Sequence, residues 1–193
     1  MKETLGLLAG LILAIGLLVV DHDPWTVEAD WPPPDAPELV PAPVGDPLVA
    51  SIEQAAQRQK VPPRLLVGMA RVESNLDPMA VSHAGALGIL QVVPESAGRE
   101  VYRLRGRAGS PSPESLFQVD YNADIAAEYV AWLRGYFGPE VPVDVIVAAY
   151  NAGPTRVRRC LQHGERWRSC LPLETRNYLV RVEQAAGGIS WQT

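Results

Sequence analysis

The 193-residue chain lacks most of the short motifs that announce an enzyme class. It has no glycine-rich phosphate loop ending in Lys-Ser or Lys-Thr, and no dinucleotide-binding glycine fingerprint. It has no HExxH zinc pair and no GxSxG nucleophile elbow. Histidine is limited to His22, His83 and His163, which are too scattered to form a metal set; only His83 falls in a segment that could approach a site. Basic residues fall short of acidic ones, 17 against 22, for a net charge of −5. That balance argues against a nucleic-acid binder, which shows a basic face. No segment alternates polar and apolar residues as a half-buried strand does, and no internal repeat is visible. What remains is a chain with 47% hydrophobic and 20% charged residues, the composition of a globular protein with one real core.

Cysteine is present only as Cys160 and Cys170, at the ends of the hydrophilic stretch CLQHGERWRSC, which reads as a loop. In an oxidising compartment such a pair is expected to bridge. Two free thiols, or a ligand pair with His163, are the other readings. The N-terminus bears on the compartment. Leu5 to Val20 is an uncharged apolar run of 16 residues, at the short edge of the roughly 17 to 25 that span a bilayer. It reads as an export signal, retained as an anchor or cleaved as a peptide, because no clear cleavage site follows it. A buried core helix is the competing reading. Many of the 18 prolines crowd into Pro24 to Pro47. Proline fixes φ and removes a donor, so this stretch reads as an extended spacer. Trp25 and Trp31 within it could sit at a membrane interface, or be incidental.

Beyond the spacer the pattern is helical. Asp46-Pro47 is a good N-cap and first-turn pair, and PLVASIEQAAQRQK follows with Leu48, Ile52, Ala55 and Ala56 on one stripe. A second helix is expected from Pro63 to about Asn75, burying Leu65, Leu66, Met69 and Val72. Further helices are expected over PESAGREVYRL, DYNADIAAEYVAWLRGYF, VPVDVIVAAYNAG and LETRNYLVRVEQAA. Glu73 stands in the last turn of the second helix, where the helix dipole disfavours a carboxylate. The neighbouring Val72 and Leu76 add an apolar setting. Both effects favour the protonated acid, as a general acid near neutral pH requires. A surface charge is the plainer reading of any single glutamate. Asp77, before Pro78, reads as a helix stop.

The run ESNLDPMAVSHAGALGILQVVP, beginning at Glu73, resembles the signature of the family 1 lytic transglycosylases of the soluble (SLT) type. Three further stretches match in the right order. LFQVDYNADIAAEYVAWL resembles the family's Asn-Ile helix, AAYNAGPTRV its Ala-Tyr-Asn-Ala-Gly segment, and LPLETRNYLV its closing Glu-Thr-Arg-x-Tyr element. The likeness covers about residues 48–183. It implies a mainly α, lysozyme-like single domain over 47–186, preceded by a hydrophobic signal segment (1–22) and the proline-rich linker (23–46), with 187–193 as a tail.

The resemblance also implies an activity: cleavage of the β-1,4 bond between N-acetylmuramic acid and N-acetylglucosamine in peptidoglycan, leaving a 1,6-anhydromuramyl end. It implies no cofactor and no metal. Glu73 becomes the single acid/base. Ser82, Gln91, Tyr150, Asn151, Glu174 and Tyr178 become substrate-binding candidates, with Tyr150 bonding near Glu73 or the substrate's acetamido group. The partners implied are glycan strands, the membrane through the N-terminal helix, and a secretion, conjugation or pilus assembly, with no nucleic acid. The expected location is the periplasmic side of the inner membrane, or the periplasm or exterior if the signal is cleaved. GILQ departs from the family's common Gly-Leu-Met-Gln by placing Leu90 where relatives carry methionine, a swap that keeps volume. Two other functions share these features: a lysozyme-type hydrolase, which needs a second acid or a held water, and a non-enzymatic peptidoglycan-binding part of an envelope-spanning machine.

Overall fold

A computed structural model describes residues 45–188. The apolar N-terminal run, most of the proline-rich linker and most of the tail lie outside the described residues. Nine α-helices appear among those described: α1 (Pro47–Arg58), α2 (Pro63–Ser74), α3 (Arg99–Leu104), α4 (Pro113–Leu116), α5 (Val119–Phe137), α6 (Val143–Ala152), α7 (Pro154–Leu161), α8 (Trp167–Cys170) and α9 (Leu173–Ala186). A π-helical turn, Pro94–Gly98, leads into α3, so the expected third helix is present with a wider first turn. The described residues contain no extended strand, only isolated bridges from Leu87 to Val81 and Val92.

The helix boundaries follow from local chemistry. The Asp46 side chain accepts from the Leu48 amide at 2.8 Å, capping α1 ahead of Pro47. Pro62 and Pro63 end the turn after α1 and start α2. Asn75 in the left-handed region ends α2, its amide returning to the Arg71 carbonyl. Gly187, also left-handed, closes α9.

The core sits where α2, α5, α6 and α9 meet. Ile52, Leu65, Leu66, Met69 and Val72 are buried as their spacing requires, joined by Ile125, Leu133, Ile146 and Val182. Each such side chain contributes roughly 1.5–3 kcal/mol of transfer free energy. On α9, Leu173 and Val180 point outward, 64% and 53% exposed. The α2–α9 contact is close because it crosses at Gly68, where an added Cβ would lie 2.9 Å from the Ala186 Cβ. This approach sets α9 against the helix that carries Glu73.

The segment around the cysteines differs from expectation. It is helical rather than a loop: α7 ends at Leu161, a 3₁₀ turn covers Gly164–Arg166, and α8 ends at Cys170. Its polar residues hide a narrow apolar edge of Val157, Cys160 and Trp167, which is buried. Cys160 and Cys170 form a disulfide. It ties the end of α7 to the end of α8, just before the Leu171-Pro172 turn into α9. Closing a loop this short is worth roughly 3 kcal/mol in the chain-entropy picture. Reduction should therefore lower the melting temperature by on the order of 8 °C, measured by calorimetry with and without dithiothreitol. An unchanged melting curve would show that the bridge leaves the unfolded chain unconstrained.

Candidate active site

The site forms where the end of α2 meets α6, α9 and the loop 75–93. Glu73 occupies the last turn of α2. As a residue it is half-buried, but its carboxyl group sits inside the protein. The Tyr178 hydroxyl, from α9, donates to Glu73 Oε1 at 2.7 Å. Burial pushes the Glu73 carboxyl up from 4.5 to about 7. The Tyr178 hydrogen bond holds it down, the charge of Glu174 pushes it up again, and Arg181 pulls it down. The expected direction is therefore present, with desolvation by burial as its largest cause.

Tyr150, at the end of α6, stands beside Glu73, yet its hydroxyl donates to the Leu90 carbonyl at 2.7 Å. Burial and the neighbouring Glu73 charge keep this phenol well above its ordinary value. Glu174 lies one turn before Tyr178 on α9 and accepts a hydrogen bond from the Asn151 side chain. Its carboxyl is raised by partial burial and lowered by that bond. Glu73, Tyr150, Asn151, Glu174 and Tyr178 thus converge from three helices separated widely in sequence.

Ser82 and Gln91 are placed on the loop, tied mainly to its backbone. Ser82 Oγ accepts from the Ala86 amide at 2.9 Å. Gln91 Nε2 donates to the carbonyls of Gly88 (2.9 Å) and Ala80 (3.2 Å). His83 is exposed. Asp77 Oδ1 accepts from the Met79 amide at 2.8 Å, which fits the helix-stop role. Of the non-glycine residues with positive φ, Asn75, Leu76 and Gln91 all lie in this loop. For a bulky residue such as Leu76 that conformation is strained, and such strain gathers where surroundings over-determine it.

Sequence reasoning missed the residues that hold the loop. Ser74 Oγ donates to the Ile89 carbonyl at 2.8 Å. Asn122, fully buried on α5, donates to the carbonyls of Leu87 and Leu116, both at 2.8 Å, and accepts from the Leu90 amide at 3.0 Å. Gly88 passes this asparagine so closely that a Cβ would lie 2.2 Å from the Leu116 carbonyl. The signal for Asn122 was a lone polar residue on the apolar face of a helix. Arg181 was also missed. A separate depression, lined by Trp167, Arg168, Arg176 and Val180, faces away from Glu174, Tyr178 and Arg181 across α9 and takes no part in this site. Among the described residues no cluster of His, Cys, Asp and Glu could hold a metal ion.

The fold and the site together define a helical domain built around one desolvated carboxylic acid with a tyrosine on its oxygen. The family model for the transglycosylase SLT domain matches residues 50–166, and the chain belongs to that family. The chain is 29% identical over 157 residues to the membrane-bound lytic murein transglycosylase C of Mannheimia succiniciproducens, covering 69% of this chain and 44% of that protein. It is 33% identical over 158 residues to the protein of the same name from Histophilus somni, covering 69% and 43%. Among solved structures it resembles an inactive Glu-to-Gln mutant of the lytic transglycosylase Slt from Pseudomonas aeruginosa, at 28% identity and a TM-score of 0.62. That likeness covers 71% of this chain and 23% of the other. It also resembles the 70 kDa soluble lytic transglycosylase of Escherichia coli, at 27% identity and a TM-score of 0.61, with the same coverage. The fold is therefore the lysozyme-like, mainly helical one. The chain spans less than half the length of the relatives it matches.

Proposed function

We propose that this domain cleaves the β-1,4 bond between N-acetylmuramic acid and N-acetylglucosamine in peptidoglycan by transglycosylation onto the sugar itself. The observation that carries this reading is a single enclosed carboxyl, Glu73, whose protonation midpoint lies at about 7 and which Tyr178 holds at 2.7 Å. Such a group is an acid at the start of a turnover and a base partway through, which is the requirement of acid–base catalysis near neutral pH.

The steps balance as follows. Glu73 gives its proton to the glycosidic oxygen, and the bond from that oxygen to the anomeric carbon breaks. The N-acetylglucosamine portion leaves as an alcohol. The acetamido oxygen of the muramic acid shields the positive anomeric carbon. The sugar's own 6-hydroxyl then attacks that carbon, and the Glu73 carboxylate takes the hydroxyl proton. The ring closes as a 1,6-anhydro sugar and Glu73 is protonated again. Tyr178 keeps the carboxyl oriented through both halves, while Tyr150, donating to Leu90, braces the loop across from it.

The hydrolase reading has one observation in its favour. Glu174 is a second carboxyl, close enough to act on Glu73 electrostatically. Two-carboxylate glycosidases set the pair on either side of the scissile bond. Glu174 instead lies one helical turn from Tyr178, beside the acid's own hydrogen-bond partner, with Asn151 holding it. Mass analysis of muropeptides released from purified sacculi decides between the two. The expected products carry the 1,6-anhydro ring. Reducing ends, suppressed in Glu174→Gln, would overturn the reading in favour of hydrolysis.

The names of the relatives, membrane-bound lytic murein transglycosylases, support an envelope location for this chain. Among the described residues no helix is long and apolar enough to cross a membrane. Residues 5–20 and the linker behind them are the segment proposed to tether residues 47–186 outside the cytoplasmic membrane. From there the domain reaches glycan strands, and it could open the wall for a secretion, conjugation or pilus assembly.

A further inference from the structure

The helix α9 presents Glu174, Tyr178 and Arg181 at spacings of four and three residues, which puts all of them on one face. Tyr178, in the middle, touches Glu73 directly. The flanking residues carry opposite charges. Both act on Glu73 through space, Glu174 against its ionised form and Arg181 for it. Arg181 is the cation that acts on the carboxyl, and from the other elements α6 brings the uncharged Tyr150 beside it. Arg181 is half-buried, and burial works against its own charge while Glu73 and Tyr178 support it. Holding a guanidinium in a partly dry setting is unfavourable unless a negative charge appears nearby.

That charge appears midway through the reaction. Once Glu73 has given up its proton it is an enclosed carboxylate, and Glu174 makes its position worse. We propose that Arg181 is a positioning residue for this site, stabilising the carboxylate form of Glu73 so that one group can serve first as acid and then as base. The inference rests on the reading of Glu73 as the acid/base. Without Arg181, Glu73 would hold its proton more tightly, so it would give that proton to the leaving oxygen less readily and the carboxylate needed for the second half would form more slowly.

The test is the pH dependence of kcat/KM for anhydromuropeptide release by Arg181→Met, Arg181→Lys and the wild type, with Glu73→Gln alongside. In the wild type, activity falls as pH rises through the Glu73 midpoint. In Arg181→Met that limb should move to higher pH by about half a unit or more, because a supporting positive charge is gone, with a lower plateau rate. Arg181→Lys should restore the wild-type limb. A purely structural arginine would lower the rate and leave the limb in place. That result, with Glu73→Gln inactive, overturns this inference and leaves the reading of Glu73 standing. Activity retained in Glu73→Gln would instead overturn the parent reading. Should Arg181→Met not fold, ¹³C NMR titration of the Glu73 carboxyl in Arg181→Gln answers the same question without turnover: an unmoved midpoint sinks it.

Discussion

Glu73→Gln should abolish sacculus clearing while leaving the protein better folded at alkaline pH than the wild type. The catalytic loss follows from removing the group that handles both proton transfers; each such role is worth about 10²–10⁴ in rate. Turnover should therefore fall below detection. The stability gain follows from linkage. The folded-state midpoint of Glu73, about 7, lies above its ordinary 4.5, so the folded protein binds a proton more tightly than the unfolded chain. Below about pH 4.5 the group is protonated in both states and contributes no penalty. As pH rises from there to about 7 the penalty grows, and above that range it is present in full. Each unit of difference is about 1.4 kcal/mol, and partial exposure brings the total nearer 2 kcal/mol than 3. The glutamine keeps an oxygen to accept from Tyr178 and never ionises. The melting temperatures of the two proteins should coincide near pH 4.5 and separate by roughly 5 °C at pH 8, the mutant being higher. A mutant no more stable than wild type at pH 8 would mean that the carboxyl is well solvated, and the acid/base argument would lose its physical ground.

The helices that frame this carboxyl were legible because their ends are written locally. Asp46-Pro47, Pro62-Pro63 and Gly138-Pro139 punctuate the chain, and the stripes from Ile52 to Val72 match the buried face that forms. Glu73 stood out for its place at a helix end among apolar neighbours. The sequence shows that position and those neighbours, but not the Tyr178 hydroxyl that bonds the carboxyl from α9, about a hundred residues away. No local pattern records that contact; only the likeness of the LETRNYLV element pointed to it. The cysteine segment was misread because α7 and α8 are short and rich in arginine, with a single apolar edge each. Asn122 was passed over for the opposite reason. It sits inside a strongly helical run, where one asparagine looks like noise until the carbonyls it serves are brought to it by the loop.

That loop is where stability and function depend on the same atoms. Residues 87–92 are gripped from three helices: Ser74 takes the Ile89 carbonyl, Tyr150 the Leu90 carbonyl, and Asn122 the Leu90 amide and Leu87 carbonyl. The strained Gln91 and the close passage of Gly88 are held in place by these bonds. A loop fixed this way presents a rigid wall to the carboxyl opposite, and a protein needs such a wall if an acid is to stay desolvated while the site remains open to a glycan strand.

Asn122→Leu removes the centre of that grip with little change in volume. It leaves the Leu116 carbonyl and the Leu90 amide buried without partners, and takes one of two donors from the Leu87 carbonyl, which keeps the Val92 amide. Each orphaned group costs about 1–3 kcal/mol, so the total should exceed about 3 kcal/mol. The melting temperature should fall by roughly 10 °C, and sacculus clearing should fall with it, because the loop can no longer hold its position. Asn122→Asp separates the hydrogen-bond pattern from packing. An aspartate keeps the shape and the acceptor for Leu90, but when ionised it turns a second acceptor toward two carbonyls. Its folded-state midpoint should lie above the ordinary 3.9, so its stability should be greatest below that value and decline as pH rises through the folded midpoint. Thermal melts of the wild type and both variants at pH 4 and pH 8 measure this. The aspartate protein should melt closest to wild type at pH 4 and lose most at pH 8, whereas the leucine protein should be displaced by a similar amount at both. If Asn122→Asp were as stable as wild type at pH 8, the Leu116 carbonyl would have found another donor, and the loop would not depend on Asn122.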